Sequence, residues 1–164
     1  MTRPIYEPSL PRTDAVLGFG SDQLFRRPAP IGNRCAVLFI KVFSDTQIVT
    51  TGDGKFIFEI SEDMDDMFLI RVESYVTTVS SSGKPTVQIR NVTQAVDMLS
   101  VKCEIDANEK NSKDAATQPV IDVANDDVFW GDHIAIDVDV AGTGAKGLGV
   151  MLTFCVAGAV VPSS

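Results

Sequence analysis

The stretch that most limits what this chain can fold into runs from Asp126 to Val156, DDVFWGDHIAIDVDVAGTGAKGLGVMLTFCV. Two runs in it keep strict period-two alternation, the signature of a strand with one face in a core. In the first, Ile134, Ile136, Val138 and Val140 share a face, against His133, Ala135, Asp137 and Asp139 on the other. In the second, Leu148, Val150, Leu152, Phe154 and Val156 share a face. Gly142, Gly144 and Gly147 lie between them and suit a turn that needs positive φ. The pattern predicts a β-hairpin, and two strands alone bury too little, so a larger stack of sheets must contain them.

The rest of the chain from Cys35 onward reads the same way. Cys35 to Phe43 is almost wholly apolar. Gln47–Thr51 and Lys55–Ile60 flank Thr-Gly-Asp-Gly, a hairpin turn signal, and Phe56, Phe58 and Ile60 share a face. Met67–Val79 predicts one long strand, Thr86–Val92 and Leu99–Ile105 alternate, and Val120–Val123 is a short strand. No convincing helix and no solenoid or propeller repeat is visible. Eight or nine short strands at this spacing predict an all-β fold: a two-sheet antiparallel β-sandwich, jelly-roll-like.

Residues 1–34 differ from this body. They hold five of the eight prolines, which exclude helix interiors and central strands and leave an extended path. Five arginines against Glu7, Asp14 and Asp22 make the segment +2, whereas residues 35–164 carry −10, for a total of −8. Ile5, Tyr6, Leu10, Phe19 and Phe25 are side chains that a solvated linker has no reason to carry. A basic arm with apolar anchors on an acidic body is expected to be an assembly device. Its predicted interface residues are Ile5, Tyr6, Leu10, Arg12, Phe19, Phe25, Arg26 and Arg27; the competing reading is a strap on its own domain.

The length fits one domain with a tail, residues 35–164 forming the sandwich. The acidic balance argues against duplex nucleic acid as a direct partner. No signal peptide or membrane segment is visible; the longest uncharged apolar run is short for a bilayer and already alternates as a strand. Cys35, Cys103 and Cys155 are odd in number and widely spaced, so they are expected to be reduced, buried thiols, in keeping with assembly in a reducing cytoplasm.

Enzymatic constellations are weak, and no cofactor or metal is expected. His133 is the only histidine. Asp137 and Asp139 fall on its face and could bind a hard cation or divide acid and base roles, but such pairs are usually the wet side of a half-buried strand. Glu62, Asp63, Asp65 and Asp66 lack the spacing of an EF-hand and read as a solvated turn. Asn91-Val92-Thr93 matches a glycosylation sequon without a secretion signal to support it. Trp130 could stack on a sugar at a loop tip, although a single tryptophan more often packs at a sheet edge.

TGDGKFIFEI (51–60), VQIRNVTQAVDMLSVKCEID (87–106), VIDVANDDVFWGDHIAIDVD (120–139) and GTGAKGLGVMLTFCV (142–156) resemble, in order, a β-sandwich module of tailed-phage virion proteins. That module recurs in capsid decoration proteins, head fibres and tail appendages. The resemblance brings no catalytic residues; it implies that the glycines, Asn91 and the Asp97–Ser100 turn determine the fold. Its implied function, given the small size, is a non-enzymatic capsid decoration (cement) protein on the virion exterior. The major capsid protein is then its partner and a homotrimer its expected state. Oligomerisation also follows from apolar residues that cannot all face one core: Val37 and Phe39 against Leu38 and Ile40, and Ile57, Leu69, Tyr75 and Met151 off their strands' core sides. The alternatives are a tail or neck appendage or head fibre binding host-surface glycan, and a small jelly-roll hydrolase.

Overall fold

The computed structural model describes residues 34–157, so the arm and its eight predicted interface residues lie outside the described residues. Eleven strands and two short 3-10 turns make up the described chain. The first sheet has the order β1 (Cys35–Lys41), β11 (Gly149–Val156), β3 (Met67–Tyr75) and β9 (Asp127–Val128). The second has the order β2 (Gly52–Glu59), β10 (His133–Val140), β4 (Thr86–Asn91) and β5 (Val96–Asp97), with β7 (Cys103–Glu104) also on β4. β6 (Leu99–Val101) and β8 (Val120–Ile121) form a small third pair. All pairings are antiparallel, and the two main sheets enclose one core, giving the expected β-sandwich.

The alternating stretch supplies the inner strand of each sheet. Ile134, Ile136 and Val138 from β10 and Val150, Leu152 and Phe154 from β11 are all buried. The expected hairpin between them does not form. β10 pairs with β2 and β4, β11 with β1 and β3, and residues 141–148 cross from one sheet to the other. An arch lets both apolar faces meet across a core, which neighbouring strands of a single sheet cannot do. Gly142, Gly144 and Gly147 hold positive φ in this crossing, and a Cβ on Gly147 would strike the Thr77 side chain.

Other expected boundaries shift for local reasons. Thr-Gly-Asp-Gly is not a hairpin turn but the start of β2, where the register against β10 slips between Ile136 and Val138. Gln47–Thr51 is a loop touching Lys146 through Ile48. Leu69 is fully buried rather than off the core side, because β3 slips register at Thr153/Phe154 of β11 and its inward parity changes. Val37, Phe39 and Ile57 are exposed, whereas Tyr75 and Met151 are half-buried. Lys41, Gly149 and Tyr75 form one cross-strand row, with the Lys41 ammonium 5.3 Å from the Tyr75 ring centroid. A Cβ on Gly149 would clash with Cζ at the phenol end of Tyr75, so the glycine is what leaves room for the tyrosine over the sheet.

The cysteines correct the sequence reading. Cys35 and Cys155 stand directly opposite each other on β1 and β11 and form a disulfide. Their separation of 120 residues hid a pairing that only sheet register creates. Cys103 remains a free, buried thiol, 3.2 Å from Ser74 Oγ, and burial pushes its pKa up.

Two outcomes are expected. The disulfide closes a loop around nearly the whole sandwich, worth about 5 kcal/mol in the chain-entropy account. Urea unfolding with and without reductant should show most of that difference, and alkylation of the denatured, non-reduced protein should label one cysteine. Gly149→Ala should cost ~1–3 kcal/mol through overpacking, and adding Tyr75→Ala should recover much of it in the same assay.

Candidate functional site

A polar residue drawn into the sandwich organises one end of it. Asp132, immediately before β10, is 5% exposed. Its Oδ2 accepts hydrogen bonds from Asn91 Nδ2 at 2.8 Å, Gln94 Nε2 at 2.8 Å and the Phe129 N–H at 3.0 Å. Burial pushes the carboxyl pKa up, but the donors from Asn91, Gln94 and Phe129 outweigh it and hold the pKa below the usual carboxylate range. The group is therefore an anion at neutral pH, satisfied by neutral donors.

Three loops meet at the turn this anion closes. The Asp132 N–H donates to Phe129 O at 3.0 Å, closing a reverse turn with Gly131 at φ +90° in its third position, where a type II turn requires glycine-like geometry. Gly131 N–H donates to Ile60 O and Ile60 N–H to Asp132 O, which ties the turn to the end of β2. Trp130 N–H donates to Asp65 Oδ1 at 2.9 Å, and Asp66 N–H to Val128 O. On the other side, Val92 N–H donates to His133 O, and His133 N–H to Thr93 Oγ1 at 2.9 Å. The platform leaves large side chains outside: Phe129 is 46% exposed and Trp130 64%. Trp130 is thus a projecting turn residue, not a sheet-edge packing residue.

The other sequence candidates separate. Asp137 is buried rather than on a wet face; it pairs with Arg90 Nε at 2.7 Å and accepts from the Gly54 N–H, pinning the irregular start of β2. Asp139 pairs with Lys102 at 3.0 Å, so each carboxylate has its own cation. His133 is exposed, 3.8 Å from Glu59. Glu62–Met64 is a 3-10 turn with Met64 packed inward, and Asp63 receives the Arg34 guanidinium on its carbonyl. Asn91 is fully buried on Asp132, so its sequon is closed in the folded protein. Among the described residues no three His, Cys, Asp or Glu side chains come together as metal ligands would.

Two further surfaces lie on the same domain. β3 contacts β7 and β8, which sets the β3–β9 side of one sheet beside the β4–β7 side of the other. The outer edges of β1 and β2 are left at the opposite side, and no described strand pairs with either. Both strands carry exposed apolar residues: Val37 and Phe39 on the face of β1 away from the core, and the neighbouring Phe56 and Ile57 on β2. A groove of about 550 Å³ runs beside β3, lined by Ile70, Arg71, Val72 and Glu73 and by residues near the second 3-10 turn.

Sequence reasoning missed Asp132 as the hub. Its signal was present in two of the quoted strings, Asn91 in one and Gly131-Asp132 in the other, but only the fold brings them together. No protein-family model, curated protein or solved structure matches this chain.

Asp132→Asn should destabilise the domain by about 1–3 kcal/mol at pH 7, because it leaves donors without an anionic acceptor. The folded pKa lies below that of an unfolded aspartate, ~3.9. The anion's contribution is therefore complete well above that value and lost as pH falls through the folded one. Urea midpoints should show a gap between the parent protein and the Asp132→Asn variant at pH 7 that narrows below about pH 4.

Proposed function

We propose that this chain is a non-enzymatic structural protein of a tailed-phage virion, a decoration (cement) protein on the capsid exterior. The carrying observation is that β1 and β2 each end a sheet with an edge that no described strand pairs, and that they carry exposed Val37 and Phe39, and Phe56 and Ile57, respectively. Unpaired edges with apolar side chains are surfaces that folded proteins normally cover, by another chain or another element. The resemblance of residues 51–156 to virion sandwich modules supports the same reading, and with it the jelly-roll-like description of the sandwich. The major capsid protein is the proposed partner and a homotrimer the proposed state.

In this reading the basic N-terminal arm is the anchor on an acidic body. Apolar anchors contribute roughly 1.5–3 kcal/mol each when buried, against about 0–1 kcal/mol for an exposed ion pair. Phe19 and Phe25 therefore outweigh Arg26 and Arg27, whose planar guanidinium groups supply orientation on carboxylates.

Deleting residues 1–30 should leave a folded sandwich that no longer joins particles. Phe19→Ala and Phe25→Ala should weaken attachment more than Arg26→Ala and Arg27→Ala, and high salt should release only part of the protein. Co-sedimentation with undecorated capsids measures all three. Equal decoration by the deleted protein would remove the anchor role.

A further inference from the structure

We propose that the Phe129–Asp132 turn is a carbohydrate-binding tip, in which the Trp130 indole stacks on the apolar face of a neutral pyranose. The proposal goes beyond the structural role above and holds whether or not the arm is the anchor.

A tryptophan that is 64% exposed contributes little to the core, yet every backbone N–H of its turn is hydrogen-bonded. The backbone of every residue from Phe129 to Asp132 makes a defined hydrogen bond, and the buried Asp132 carboxylate accepts the turn's first N–H along with the Asn91 and Gln94 amides. An exposed aromatic surface on a rigid support binds without paying the ordering entropy of a mobile loop.

An indole presents a flat apolar face with one polar N–H, which complements a sugar ring whose axial C–H groups form a flat apolar face ringed by hydroxyls. Groups able to bind those hydroxyls lie on the elements tied to the turn. Glu59 and His133 stand opposite each other on β2 and β10, both exposed, and Thr93 is bonded to the His133 backbone. Acidic residues on these elements, Glu59, Glu62, Asp63, Asp65 and Asp66, disfavour an anionic glycan, so the ligand class is a neutral sugar. Two neighbouring exposed rings, Phe129 and Trp130, make a small contact that suits a sugar ring better than a protein partner, which needs a broad face.

Trp130 is the only tryptophan in the chain, so tryptophan emission, excited selectively at the red edge to spare the two tyrosines, reports on this turn alone. The full chain should be titrated with neutral hexasaccharides of glucose (α- and β-linked) and N-acetylglucosamine, and with hexagalacturonate as an acidic control. At least one neutral hexamer should shift the emission to the blue and saturate, while the acidic one does not. Calorimetry on Trp130→Ala should then show binding weakened roughly tenfold or more, the scale of one aromatic stacking contact, with Trp130→Phe intermediate and both variants still folded. The proposal is overturned if no neutral hexamer binds at millimolar concentration, if Trp130→Ala binds as well as the parent, or if emission shifts only with protein concentration. That last result would make the tip a contact between protein molecules. Capsid co-sedimentation of Trp130→Ala should be unchanged, which separates this proposal from the decoration reading.

Discussion

The Asp132 carboxylate is the interaction on which this end of the sandwich depends. Placing a charged group where only 5% of its residue meets solvent costs several kcal/mol unless donors replace the lost water. Here a side-chain amide from β4, another from the following turn and a backbone N–H do so. The consequence is geometric. Asn91 lies on β4, Ile60 follows β2 and Asp65 precedes β3, so bonds to the one turn that Asp132 closes fix segments from both sheets relative to each other. Charge-assisted bonds of this kind depend on direction as well as distance, so they set position where apolar packing would tolerate slip.

The remainder of the sandwich is held by different means. β10 and β11 carry the core, and the disulfide closes the first sheet at the point where the chain enters it. β1 is an outer strand, with exposed Val37 and Phe39 on one face and half-buried Leu38 on the other. Among the described residues it pairs on one side only, and a covalent link at Cys35 ties its first residue to β11. The same end carries Arg34, whose carbonyl accepts from Val156 and whose guanidinium reaches Asp63, so the root of the arm is fixed on two sides.

Period-two alternation makes the fold class legible, since it records which side chains face a core regardless of which strands are neighbours. For the same reason it misjudges connectivity. Ile134–Val138 and Val150–Phe154 alternate identically whether they pair in one sheet or face each other across two. Parity opposite to Ile136 assigns Asp137 to the solvent side. Parity gives the side of the sheet but not what covers it, and Arg90 and the Gly54 backbone cover Asp137. The disulfide and the Asp132 hub escape the sequence for a common reason. Cys35 and Cys155, like Asn91 and Asp132, are distant in the chain and meet only through register. Trp130 is legible as a loop residue from Gly131-Asp132 behind it, but its exposure depends on where the turn projects.

The central claim is that the turn bearing Phe129 and Trp130 is as rigid as the strands beneath it because a buried anion holds it. Residue-resolved amide hydrogen exchange at neutral pH tests this most directly. The Phe129, Gly131 and Ile60 amides should be protected to a degree comparable with those of β4 and β10, with Gln94 close behind. Exchange of those amides at the rate of an unstructured loop, while β4 and β10 stay protected, would contradict it.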